Sequence, residues 1–313
     1  MNGCEAVQAI GNVLVDANRP LKERFRALFT LRNIGGKEAI DCIDACFADK
    51  SALLKHECAY CLGQMQDKYA IPKLVQVLED TSENTMVRHE AAEALGAIGS
   101  TDVIPTLKQH LTDPAAEVAE TCELALARIE WLNSNMKENL STNPYESVDP
   151  APPSEMTDIK ILQETLLDED ETLFARYRAM FALRNMGGPE AVCALAKGLR
   201  CKSALFRHEI AYVLGQMQHP EATEALQNNL SDAAENPMVR HECAEALGAI
   251  ANESAMVSLK DYASDKEVVV KESCEVALDM CEYENSKEFQ YADGLQKVTS
   301  LQQNHITGSN CST

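Results

Sequence analysis

The sequence predicts an all-α protein, an α-solenoid of short helical hairpins arranged as two matching halves. Three observations carry this. Long blocks recur at a fixed offset of 152 residues. Within each half a period of 31–33 residues runs through stretches of helical apolar spacing. Aromatic residues make up only 5% of a chain that is 45% hydrophobic, which favours helices packed through small side chains over a sheet core.

The long offset is read directly. FRALFTLRNIGGKEA at 25–39 returns as YRAMFALRNMGGPEA at 177–191. SALLKHECAYCLGQMQ from Ser51 returns as SALFRHEIAYVLGQMQ from Ser203, and MVRHEAAEALGAI from Met86 as MVRHECAEALGAI from Met238. Within a half, KHECAYCLGQM from Lys55 is echoed 33 residues on by RHEAAEALGAI from Arg88. Looser copies begin at Phe25 and Ala119, and the counterpart of the latter at Lys271. About four units per half result, with an extra helix at the start of each.

Each unit has one internal logic. A helical face such as Leu53, Leu54, Cys58, Leu62 comes first. A glycine follows (Gly35, Gly63, Gly96 or Gly99), where a helix ends or approaches a neighbour closely. A second helical stretch then opens with Pro72 or Pro105 in its first turn. Helix, turn, helix at this period is the signature of a solenoid, and the units resemble short HEAT-type repeats of the kind also found in phycobilin lyases. The halves are expected at 1–133 and 157–284. Residues 134–156, rich in Pro, Ser, Asn and Glu with no apolar period, read as a flexible linker. The polar stretch 285–313 reads as a tail that is disordered or loosely docked.

Charge and composition narrow the function. A net charge of −21 repels phosphates and argues against nucleic acid; it serves solubility, or suits a basic partner. No run of 18 apolar residues and no basic start before an apolar block is present, so a soluble, cytoplasmic protein off the membrane is expected. The 12 cysteines then read as reduced thiols. Cys58 and Cys61 form a CxxC, but their counterparts are Ile210 and Val213, so both read as buried small residues.

Chemistry concentrates in four His-Glu pairs: His56-Glu57, His89-Glu90, His208-Glu209 and His241-Glu242. Seven histidines in this composition supply on the order of one such pair by chance. All four occupy one position of the repeat, 33 residues apart within a half and 152 between halves. The outer repeats lack the pair: the first have Phe25-Arg26 and Tyr177-Arg178, the last Ala119-Glu120 and Lys271-Glu272. A packing signature would run through every repeat, whereas a site needs only the central ones. Neighbouring equivalent helices lie roughly 8–10 Å apart, so two histidines can reach one metal, and the next residue, turned by about 100°, can join from the side. Two His and a carboxylate suit non-haem iron, and on ligands alone also zinc or manganese. Two such half-sites facing each other would form a dinuclear centre. No HExxH is present, so zinc-protease chemistry is not indicated.

Four HE pairs, two per half of a HEAT-repeat dyad, with the flanking MVRHE and LGQMQ strings, resemble deoxyhypusine hydroxylases over about residues 5–285. The resemblance implies hydroxylation of the deoxyhypusine side chain on the precursor of eukaryotic initiation factor 5A, a basic protein partner, with O2 as co-substrate and two iron ions, Fe(II) or Fe(III), per chain. It implies His56, His89 and Glu90 as ligands of one iron, and His208, His241 and Glu242 as ligands of the other. Glu57 and Glu209 would anchor the substrate amine or serve as further site carboxylates. Internal duplication already supplies a two-fold, so a monomer is expected. Nothing else in the sequence locks the halves together, so the iron pair is expected to clamp them. Two other readings stand beside this one: a HEAT-repeat binding scaffold, and a bilin-lyase-like protein without redox catalysis.

Overall fold

The computed structural model describes residues 3–134 and 138–294. Among these there are 16 α-helices joined by short turns and no strand. The first half contains α1 (Gly3–Val15), α2 (Leu21–Ile34), α3 (Lys37–Ala45), α4 (Ala52–Met65), α5 (Ile71–Glu79), α6 (Thr85–Ile98), α7 (Ile104–Gln109) and α8 (Ala116–Asn133). The second contains α9 (Ile159–Leu167), α10 (Leu173–Met186), α11 (Gly188–Lys197), α12 (Ala204–Met217), α13 (Thr223–Ser231), α14 (Pro237–Ile250), α15 (Glu253–Tyr262) and α16 (Val268–Glu284). Each half is thus four hairpins.

The even-numbered helices stack side by side as an inner layer, and most odd-numbered ones are shorter and lie outside. Local chemistry sets where the four His-bearing helices begin. Ser51, Asn84, Ser203 and Asn236 each accept a backbone N–H of the first turn with their side chains, which satisfies donors that the helix cannot. Pro72 and Pro105 stand in the first turns of α5 and α7. An arginine clips four of the hairpins together. Arg24, Arg88, Arg176 and Arg240 each donate Nε to the carbonyl of the leucine ten residues earlier, at the end of the preceding outer helix, at 2.7–3.0 Å. Arg88 and Arg240 go on to Asp113 and Asp265 in the next turn, each at 2.6 Å. The arginine of MVRHE is therefore a scaffold residue that fixes the helix carrying the adjacent histidine.

The halves meet head to tail. The first inner helix of each half lies against the last inner helix of the other, α2 on α16 and α10 on α8. Polar contacts repeat the pseudo-two-fold. Ser51 donates to Glu272 at 2.8 Å, and its counterpart Ser203 donates to Glu120 at 2.6 Å. The hydroxyls of Tyr60 and Tyr212, themselves counterparts, hydrogen-bond across the axis at 2.9 Å. Buried Arg26 holds Asp279 at 2.8 Å. The dyad thus has a direct protein interface, contrary to the expectation that metal alone clamps it.

The segment expected as a flexible linker differs likewise. Residues 138–156 form no helix, but they are tied to both halves. Gln64 and the backbone of Val148 exchange two hydrogen bonds, 3.0 and 2.9 Å. Asp149 grips the fully buried Arg184 with both carboxylate oxygens, at 2.8 and 2.6 Å. The tail also begins docked: Arg26 pairs with Glu288 at 2.9 Å and Tyr291 stacks edge-on against Phe29. Arg178, the counterpart of Arg26, pairs in the same way with Glu138 of the linker at 3.0 Å. Linker and tail thus start along equivalent tracks on the two halves. The rest of the tail, 295–313, lies outside the described residues.

Candidate metal centre

His56, His89, His208 and His241 sit on α4, α6, α12 and α14, all on the inner layer and all buried. The structure brings the four rings into one cluster. Centroids of His56 lie 5.4 Å from His89, 5.8 Å from His208 and 5.2 Å from His241; His208 lies 5.3 Å from both His89 and His241. Helix spacing sets this closeness. A Cβ placed on Gly63 would stand 2.8 Å from the Ala94 Cα, and one on Gly215 3.0 Å from the Ala246 Cα. These glycines therefore let α4 approach α6, and α12 approach α14, at backbone contact.

The following glutamates are drawn into the same space. Glu90 Oε2 is 3.3 Å from His56 Nε2, and its counterpart Glu242 Oε2 is 3.4 Å from His208 Nε2. Ligand atoms of His208, His241 and Glu242 all converge within 4.8 Å, and this is the triad expected in the second half. In the first half the convergence is distributed differently: His56 and His89 group with His208 from across the axis, while His89 and Glu90 group with Glu93. Glu57 and Glu209 are buried on the walls of the same cavity, about 340 Å³ in volume. Glu57 Oε2 stands 3.9 Å from His56 Nδ1, and Glu209 Oε1 has no hydrogen-bond partner.

Residues beyond the HE pairs complete the walls. Glu93 and Glu245 lie one turn after Glu90 and Glu242, and Tyr60 and Tyr212 one turn after His56 and His208. Residues three or four apart share a helix face, and all four positions recur at the 152-residue offset. Those two signals would have found them. Glu245 Oε1 approaches His241 Nδ1 at 3.5 Å and accepts a hydrogen bond from Ser273 at 3.2 Å. Cys58 and Cys61 are buried free thiols, and neither belongs to the cluster.

The electrostatics fit a cation. None of the eight imidazole nitrogens makes a hydrogen bond, although all are buried; such orphaned lone pairs are costly unless something binds them. Burial pulls His89 and His241 well below the usual imidazole range, and His56 to about 4, so these three rings are neutral donors, whereas Glu242 beside His208 raises that ring against its burial. Burial, with neighbouring carboxylates, pushes Glu57, Glu93 and Glu209 well above the carboxylate range and Glu90 up to about 8. Seven carboxyl groups line one cavity, and four of them are pushed above the usual carboxylate range by their burial and one another. A bound metal cation would supply the balancing charge, and neutral imidazole with carboxylate is a donor set such ions take.

Comparison with known proteins agrees with this architecture. A family profile described as HEAT repeats matches residues 42–127 and 194–279, and one described as PBS lyase HEAT-like repeat matches residues 175–201. Deoxyhypusine hydroxylase of Rattus norvegicus is 61% identical over 94% of this chain and 97% of its own. That of Xenopus laevis is 62% identical over 93% and 96%. A solved structure of human deoxyhypusine hydroxylase in complex with glycerol superposes with a TM-score of 0.87 at 61% identity, covering 90% of this chain and 97% of that one. On its repeats, its clustered His-Glu pairs and this similarity over nearly the full length, the chain belongs to the deoxyhypusine hydroxylase family.

Proposed function

We propose that this chain hydroxylates the deoxyhypusine side chain of a basic protein, the precursor of initiation factor 5A, with O2 as co-substrate and two iron ions per chain. The observation that carries the reading is a cluster of four buried imidazoles without hydrogen-bond partners beside a cavity lined by seven glutamates, in a chain 61% identical to proteins named for this activity.

His56, His89 and Glu90 would hold one iron, with His208, His241 and Glu242 holding the other. The mixed grouping of His208 with His56 and His89 supports a shared dinuclear arrangement over two separate sites. The iron supplies the activation of O2 needed to oxidise an unactivated C–H bond. The protein's own part is binding and orientation. Glu57 and Glu209 line the cavity, and Glu209 Oε1 has no hydrogen-bond partner, so a substrate ammonium would offset their burial as they offset its desolvation. Tyr60 and Tyr212, joined hydroxyl to hydroxyl, close the wall beside them.

A net charge of −21 favours encounter with a basic partner. The internal dyad supports a monomer, and cytosolic residence suits reduced cysteines. No helix among the described residues is long and apolar enough to cross a membrane. A non-catalytic scaffold gives no reason for eight buried nitrogens without partners. The test is turnover of a deoxyhypusine-bearing protein under isotopically labelled O2: one labelled oxygen atom gained on that side chain is expected, and an unchanged side chain with iron-loaded enzyme contradicts the reading.

A further inference from the structure

A pseudo-two-fold centre should have two equivalent mouths, one on each side of the axis. Among the described residues the cavity shows only one of them. It runs out between α2, the C-terminal end of α14, and α16, past Phe29, Ala249, Met280 and Glu284, with Tyr291 of the tail stacked beside Phe29. The residues related to these by the 152-residue offset are Phe181, Ala97, Arg128 and Leu132, and none of the four lines the cavity. Phe181 is fully buried where Phe29 is half-buried, and Ala97 is buried where Ala249 is not.

We infer that linker residues 147–149 close one mouth, so that the substrate protein docks on the other face alone, against α2, α14 and α16, and its side chain enters there. This rests on the hydroxylase reading above. The closure follows from one chemical difference between the halves. Arg128 donates Nε to the Asp149 carbonyl at 2.8 Å and Nη1 to the Gly96 carbonyl at 2.7 Å. Asp149 in turn holds Arg184, and Gln64 holds Val148 from the opposite side. At the open mouth the counterpart of Arg128 is Met280, which has no donor with which to anchor an overlying chain. The open rim also carries a carboxylate, Glu284, where the closed side carries Leu132. A cationic side chain on a basic protein is drawn to the former.

The test uses that counterpart pair. Both positions are exposed near the ends of the last helices of their halves. Glu284→Lys should lower kcat/KM for the deoxyhypusine-bearing protein about tenfold, through KM and more steeply at low salt, with iron content and far-ultraviolet dichroism unchanged. Glu284→Gln should fall in between, and it keeps the test open if the lysine variant folds poorly. Leu132→Lys should leave kcat/KM and substrate Kd within about twofold of wild type. Equal sensitivity of the two positions, or greater sensitivity at Leu132, overturns the single entrance while leaving the hydroxylase reading in place. Wild-type protein that loads iron but neither binds nor turns over the substrate protein removes both.

Discussion

Replacing Gly63 by alanine should damage one half of the metal centre and spare the other. The added Cβ would lie 2.8 Å from the Ala94 Cα and 3.0 Å from the Ala94 Cβ, whereas ordinary contact begins at 3.4 Å. The obstructing atom is backbone, so no rotamer change relieves it, and α4 must move from α6 by about 0.6 Å. Such overpacking costs roughly 1–3 kcal/mol, a sizeable share of the ~5–15 kcal/mol that holds a domain folded. The same two helices present His56 and His89, and metal–ligand distances tolerate only about 0.2 Å. The first-half iron should therefore be lost or weakened while His208, His241 and Glu242 retain theirs. Gly215→Ala meets Ala246 at 3.0 and 3.1 Å and should do less. Denaturant unfolding of metal-free protein reads the stability term, and elemental analysis after gel filtration reads the iron. A Gly63→Ala protein within about 0.5 kcal/mol of wild type and fully loaded with iron would refute the reasoning, as would a larger effect at Gly215.

Other outcomes follow from particular contacts. Asp149→Ala leaves the fully buried Arg184 without its carboxylate and should destabilise by about 3–5 kcal/mol in denaturant melts, with much of the loss recovered in the Asp149→Ala, Arg184→Met double variant. Glu57→Gln and Glu209→Gln should weaken substrate binding more than iron loading, measured by calorimetry and elemental analysis on the same samples; full loss of iron with normal substrate binding would reassign them as ligands. The Arg88 hydrogen bond holds Asp113 down to about 2, and Arg240 likewise lowers Asp265. A carboxyl depressed by folding stabilises above its unfolded value near 3.8 and loses that contribution as pH falls through its folded value. Acid unfolding should therefore steepen between about pH 4 and 2, and Asp113→Asn should flatten it. Cutting the chain within residues 140–146 and chelating iron should leave the halves associated in solution scattering, because Arg26–Asp279 and the Ser51–Glu272 and Ser203–Glu120 pairs remain; separation on chelation would restore the metal clamp.

Periodicity made the architecture legible. The 152-residue offset and the 31–33-residue period give paired solenoids without reference to any contact, and restriction of HE to the central repeats marks the cluster. Glu93 and Glu245 were visible in principle, in the recurring AEALG string, but one carboxylate on a helix reads as solvated surface until the facing half is placed. The linker was not legible because its ordering is long-range. Val148 finds Gln64 at a separation of 84 residues, and Asp149 finds Arg184 at 35. Composition reports a missing helix, not a missing partner. Where the tail docks was hidden likewise, since Glu288 meets Arg26 across 262 residues.

The central claim is that the two halves together build one dinuclear iron centre. Iron content per chain, measured on wild type and on His89→Ala and His241→Ala, tests it most directly. The account predicts close to two iron ions in wild type, loss of most iron from one half in each variant, and no turnover in either. Full iron content in both variants, with deoxyhypusine still hydroxylated, would contradict it.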